Sequence, residues 1–226
     1  IMRRFTPDVE EYSIDEAFAD LTGMRRALHS SYEEIALNIK KEIERELGIT
    51  VSVGLSITKV LAKLASKHNK PAGMTVIRGR DIANYLRNLP VDKIWGIGNA
   101  TTNYLAKMGI HHALEFAQMP EKTVLQKFTK PGVEIWQELR GKSVYPVAAG
   151  EKSSYASISK TKTFAPPTSN AEYLFAQLMR NMESACIKAR RYSLASSRIF
   201  VFLKKNNFDS VGSEVKLSRP CSCPLE

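Results

Sequence analysis

Cysteine is scarce in this chain. Three of 226 residues (Cys186, Cys221, Cys223) are too few and too unevenly placed for a disulfide framework. Cys221-Ser222-Cys223 lacks two further Cys or His nearby that would close a metal site, and the few histidines supply no such pattern. Long apolar runs are missing too: nothing approaches the roughly 18 residues of a membrane span, and no secretory leader pattern is visible. Repeats and low-complexity tracts are absent, which argues against solenoid and disordered scaffolds. The expectation is a reduced, cytoplasmic, globular chain with no membrane partner. Its hydrophobic fraction of 43% suffices for a sizeable core. The length fits one large domain or two to three small ones.

Charge of one sign is in excess. The net charge is +10 and the sequence pI about 9.5, a balance suited to polyanionic partners. The excess is uneven. Residues 1–78 carry 12 Lys+Arg against 11 Asp+Glu, residues 79–150 carry 9 against 6, and residues 151–226 carry 12 against 6. A near-neutral first segment beside increasingly basic ones suits an enzyme that grips nucleic acid away from its reactive centre. A basic surface that merely keeps the chain in solution is the plainer alternative.

Hydrophobic periodicity predicts an α+β, multidomain chain. Residues 10–20 alternate as a strand, with Tyr12, Ile14, Glu16 and Phe18 on one face. A helix is expected from Tyr32 to Leu47, opened by a Ser31/Glu34 capping box and stopped by Gly48. A strand over 49–57, a helix over 59–67 and a short strand at Met74–Ile77 complete a sheet-plus-helix domain, 1–78. Short helices, one ending near Met108 and others over 112–118, 121–128 and 132–139, form an all-helical domain, 79–143. Residues 144–154 read as a linker. A strand over Tyr155–Phe164, a long helix behind a Ser169/Glu172 capping box, and strands at Ser197–Leu203 and Glu214–Leu217 make a smaller α+β domain, 155–226. The chain is expected to start within an element and ends abruptly, so it reads as a fragment.

Chemistry concentrates at Tyr12-Ser13-Ile14-Asp15-Glu16-Ala17-Phe18. Adjacent carboxylates in an apolar, aromatic stretch need compensation, and a divalent cation is the usual source. Hard oxygen ligands of this kind hold the ions that neutralise charge on a transferring phosphate. A surface turn also explains an Asp-Glu pair. Strand neighbours point to opposite faces, so Asp15 and Glu16 can share an ion only near a turn or bulge, or through a bridging substrate.

Further along, Pro90-Val91-x-x-Ile94-Trp95-Gly96-Ile97-Gly98, followed by Leu105 and Met108-Gly109-Ile110, reads as a helix-hairpin-helix. Glycines there allow close backbone approach, and amides at a helix N-terminus donate to phosphate without reading sequence. Lys59, Lys63 and Lys67 share a helical face, which a solvated lysine stripe also explains. Lys70, before Pro71-Ala72-Gly73, sits where a side chain could reach a triphosphate. Lys160, Thr161, Lys162 and Thr163 decorate the expected 155–164 strand with groups that contact phosphates, or that keep an edge strand in solution. Trp95 and Trp136 read as core anchors.

Taken together these motifs resemble the Y-family, lesion-bypass (translesion) DNA polymerases. Tyr12–Phe18 is similar to that family's catalytic palm motif. Val51–Ser56 followed by Thr58-Lys59-x-Leu61-Ala62-Lys63-x-Ala65-Ser66-Lys67-x-x-Lys70-Pro71-x-Gly73 is similar to its second palm block, the Trp95–Ile110 hairpin to its thumb, and, more loosely, 155–219 to its little finger. Ser13–Gly23 and Leu89–Gly98 resemble the bacterial polymerase V catalytic-subunit branch more than the polymerase IV branch.

The resemblance implies template-directed nucleotidyl transfer with two Mg²⁺ ions. Asp15 would hold metal, Glu16 would hold metal or position the primer 3′-hydroxyl, and Lys70 would contact the incoming deoxynucleoside triphosphate. Gly96, Ile97 and Gly98 would meet the primer backbone, and 155–219 would lie along primer-template DNA. The family's first metal-binding Asp and its fingers domain have no counterpart in these residues. The expectation is therefore that the chain alone binds DNA weakly and does not polymerise. A sliding-clamp contact would belong to a tail beyond Glu226. A non-catalytic DNA-binding repair accessory protein is the alternative reading, and a metal-dependent nuclease a weaker third.

Overall fold

The computed structural model describes residues 1–150 and 155–223, so part of the expected linker (151–154) and the last three residues lie outside the described residues. The chain divides into two compact units, Ile1–Gly150 and Glu151–Glu226.

In the first unit, β1 (Val9–Glu11) and β2 (Ala17–Ala19) form an antiparallel hairpin with Glu10 opposite Phe18. The expected continuous strand over 10–20 is therefore broken. Residues 12–16 form the hairpin loop, closed by the Tyr12 and Ser13 amides donating to the Glu16 carbonyl, each at 3.0 Å. Alternation misleads here because a turn inside a strand-like run leaves the apolar tally unchanged, and Ile14 ends up fully exposed at the tip.

After the short α1 (Met24–Ala27), α2 (Tyr32–Leu47) has the expected Ser31/Glu34 capping box and a left-handed Gly48 at its end. Its buried Ile35 and Ile39 pack with Leu21 into a small core. β3 (Val53–Ser56) pairs in parallel with β4 (Met74–Ile77) through the crossover helix α3 (Lys59–His68), which Thr58 caps by accepting the Leu61 amide. The helix lies so close to the strand that a Cβ on Gly54 would stand 2.0 Å from the Ala62 carbonyl oxygen, so only glycine fits.

Five helices follow: α4 (Ile82–Leu86), α5 (Asn99–Lys107), α6 (Ala113–Ala117), α7 (Glu121–Lys127) and α8 (Lys130–Leu139). Their core holds Leu86, Ile94, Leu105, Phe116, Trp136 and Leu139, and it also takes in Val60, Leu61 and Leu64 of α3. The crossover helix thus has one face in the helical core and the other near the first hairpin. The buried Glu138 fastens this junction, accepting the Val60 amide at 3.1 Å, Val144 at 2.6 Å and Tyr145 at 2.9 Å. Three amide donors satisfy a carboxylate that would otherwise be costly to bury.

In the second unit, α9 (Ala171–Arg191) is capped by Asn170, whose side chain accepts the Tyr173 amide at 2.9 Å, rather than by the expected Ser169. β5 (Ser196–Lys204) and β6 (Ser210–Cys221) form an antiparallel hairpin, both strands longer than expected. The expected strand at 155–164 carries no strand assignment. Its hydroxyls and lysines provide no apolar face to bury against a sheet, and propensity alone does not make a ladder.

Candidate active site and nucleic-acid interface

The loop between β1 and β2 presents its two carboxylates differently. Asp15 is exposed near the tip and accepts a hydrogen bond from the Ser13 hydroxyl at 2.7 Å. Glu16 is half-buried and ion-paired with Lys63 of α3. The turn that the sequence argument required for adjacent carboxylates to work together is thus present.

Lys63 is 8% exposed, its ammonium 4.9 Å from the Tyr12 ring centroid and 5.2 Å from that of Trp95. Lys59 lies 4.7 Å from the Phe18 centroid and pairs with Glu10 at 2.6 Å. Both lysines bury their stems against aromatic rings while their charges meet carboxylates. The solvated-stripe reading fits Lys67, which is exposed, but not these two. Glu10 also accepts the Ala148 amide at 2.7 Å. Burial pushes its carboxyl up, but the hydrogen bonds from Lys59 and Ala148, with the Lys59 charge, leave it below the ordinary glutamate range.

Trp95 closes this arrangement, with its ring centroid 5.2 Å from Tyr12, 5.7 Å from Phe18 and 6.3 Å from Tyr145. It packs against the helical core, as expected of an anchor, and also joins the carboxylate hairpin to the glycine turn that follows it. The Tyr145 hydroxyl is pushed up to about 12, by burial first and then by Glu134 and Glu138.

That turn has Gly96 at φ +91°, where a Cβ would stand 2.6 Å from the Ile135 side chain. Gly98 caps α5 with open space beyond its Cα, so its backbone can be approached closely. Ile97 differs from both: its side chain is 8% exposed and its amide donates to the Ile94 carbonyl at 3.1 Å. It anchors the turn and has no amide proton to offer.

Lys70 is exposed two residues beyond α3 and forms no ion pair among the described residues. In the second unit Lys160, Thr161, Lys162 and Thr163 are all exposed, and Lys162 donates to the buried Gln177 side chain at 3.0 Å.

The donor chemistry of the hairpin suits a hard divalent ion: Asp15 offers an accessible carboxylate and Glu16 a second one held by Lys63. Among the described residues no cluster of three or more His, Cys, Asp or Glu side chains accompanies them, and no two cysteines are joined in a disulfide. No helix among the described residues is long and apolar enough to cross a membrane.

A parallel crossover unit whose helix is ion-paired to a carboxylate hairpin, a helical domain with a glycine turn, and a basic α+β unit make up the chain. The impB/mucB/samB family matches residues 1–67, its helix-hairpin-helix motif 80–110 and its C-terminal domain 155–226. The chain belongs to this family, the Y-family DNA polymerases.

Among curated relatives, DNA polymerase IV of Clostridium kluyveri is 36% identical over 93% of this chain and 52% of its own length, and that of Moorella thermoacetica 35% identical over 94% and 53%. The chain thus spans about half the length of these relatives. Neither supports the polymerase V branch over the polymerase IV branch. The solved structure of a Y-family DNA polymerase chimera, Dbh-Dpo4(243-245)-Dbh, superposes with a TM-score of 0.76 at 25% identity, covering 97% of this chain and 62% of that one. A DinB family error-prone DNA polymerase from Sulfolobus solfataricus gives 0.56 at 25%, covering 96% and 64%.

Proposed function

We propose that this chain is the palm, thumb and little-finger portion of a translesion DNA polymerase, a cytoplasmic enzyme acting on primer-template DNA and deoxynucleoside triphosphates. The domain limits are those read from the sequence: 1–78, 79–143, a linker over 144–154, and 155–226. The observation that carries the reading is the exposed Asp15 beside the Lys63-held Glu16 on one hairpin loop, joined through Trp95 to a helix-hairpin-helix. The polymerase name borne by the relatives favours this over a non-catalytic accessory protein.

In this reading Asp15, with Glu16, would hold Mg²⁺, which when bound supplies charge neutralisation at the phosphate. Lys63 fixes the direction of the Glu16 carboxylate and compensates its charge. Lys70 projects its ammonium toward the triphosphate, a contact a strongly hydrated point charge suits. The backbone around Gly96 and Gly98 meets primer phosphates, with Ile97 as its anchor, and Lys160, Thr161, Lys162 and Thr163 add contacts that carry no base information.

Primer extension by the protein expressed from its complete open reading frame, beside its Asp15→Asn variant, tests this. Extension that falls by at least about a hundredfold in the variant is expected from loss of charge stabilisation at the reacting phosphate. Undiminished extension in Asp15→Asn removes Asp15 from the chemistry. DNA binding without extension in either protein favours the accessory reading.

A further inference from the structure

The β5–β6 hairpin has two unlike faces. The register places Arg198 opposite Lys216, Phe200 opposite Glu214, Phe202 opposite Gly212 and Lys204 opposite Ser210, so these residues share one face. Ile199, Val201, Leu203, Val211, Val215 and Leu217 lie on the other, which holds the two least exposed central positions, Val201 and Leu217. An aliphatic face of this kind is ordinary sheet packing surface. The first face is not.

Phe200 is 62% exposed and Phe202 44%, and their rings stack at 5.8 Å with only 20° between planes. Gly212 permits this: a Cβ there would stand 2.8 Å from Phe200 Cζ, so any side chain would push the ring aside. Around the pair lie three cations. Arg198 is paired with Glu214 at 3.3 Å, whereas Lys204 lies 4.7 Å from the Phe208 ring centroid and Lys216 is exposed. The face is therefore net positive, in a segment carrying 12 Lys+Arg against 6 Asp+Glu.

We propose that the Phe200–Phe202 face is a stacking platform for the unpaired bases of a single-stranded nucleic acid. Charge complementarity selects a polyanion, and the flat, exposed, parallel rings select one that can present π-faces. A duplex has its base faces already stacked, so the rings discriminate in favour of unpaired strand. Lys204 and Lys216 then meet the phosphates on either side of the stacked bases. This adds a ligand to the DNA-binding reading above and does not depend on catalysis.

The test is equilibrium binding of the full chain, without nucleotide, to three labelled probes of equal length: oligothymidylate, an abasic strand and a duplex. Oligothymidylate is expected to bind more tightly than the abasic strand. Phe200→Leu/Phe202→Leu, which keeps apolar side chains on the strand, is expected to weaken it about tenfold, toward the abasic level, with duplex binding unchanged. Phe200→Trp alone is expected to tighten oligothymidylate binding, and serves if the double variant loses its fold. Equal affinity for the oligothymidylate and abasic probes overturns the proposal, as does oligothymidylate binding unaltered in the folded double variant. A parent chain that binds oligothymidylate but not the duplex counts against the helix-hairpin-helix assignment and leaves the platform standing.

Discussion

Lys63 of α3 and Glu16 of the β1–β2 loop form an ion pair across 47 residues of sequence, and the lysine side chain is only 9% exposed. The pair fixes the glutamate of the candidate site to the one helix that also enters the helical core. The carboxylate loop's direction and the core's packing are therefore set by opposite faces of the same ten-residue element.

Breaking that pair from one side leaves a partly buried charge uncompensated. Lys63→Met should cost roughly 1–2 kcal/mol, less than a fully buried pair because Glu16 keeps access to water. Lys63→Met/Glu16→Gln should recover part of the loss. Urea unfolding of the four members of the cycle checks this, and simple additivity would rule out the coupling.

Glu138→Ala should be among the most damaging single changes, on the order of 3–5 kcal/mol, because three amides lose their charged acceptor. Glu138→Gln keeps one oxygen acceptor and should fall between. A lowered unfolding midpoint with an unaltered denaturant slope is the expected signature.

Glu10 gives the acid limb of stability a specific contributor. Its carboxyl is held below the ordinary value of 4.5 in the folded chain, so folding is favoured by its ionised form. That contribution is fully present above pH 4.5 and is lost as pH falls through the lowered folded value. Glu10→Gln should therefore be less stable than the parent at pH about 7, with the difference shrinking as pH falls below 4.5. A difference that persists undiminished in acid would assign the loss to packing instead.

The two turn glycines should separate cleanly. Gly96→Ala meets both a left-handed φ and the Ile135 side chain, and should lose about 1–2 kcal/mol of stability. Gly98→Ala, at φ −97° with open space beyond it, should leave stability unchanged and weaken duplex binding. Thermal unfolding beside duplex titration distinguishes them, and equal effects on both would contradict separate roles.

Much of this was legible in the residues themselves. The α2 capping box, its Gly48 stop, the Met74–Ile77 strand and the helix starting at Lys59 depend on local spacing, and local spacing survives folding. The carboxylate pair and the glycine turn were equally visible, because each is a short run of particular residue types close together in sequence. Lys63 and Glu138 were harder. Lys63 lies on the same helical face as the exposed Lys67, and only the hairpin folding against α3 separates their fates. Glu138 did carry a signal, since it sits within the Ile135–Leu139 apolar stripe. Its three amide partners, though, come from the start of another helix and from an irregular segment.

Sequence by itself determined the family's motifs, the limits of α2, the start of α3 and the basic excess toward the C-terminus. Tertiary structure decided that residues 12–16 turn rather than extend, that Trp95 bridges the carboxylate hairpin and the glycine turn, and that residues 155–164 form no strand. The division has a physical cause. Caps, glycine stops and helical stripes are fixed by interactions within a few residues, whereas a ladder, an ion pair or a ring contact needs a partner that only the folded chain brings within reach.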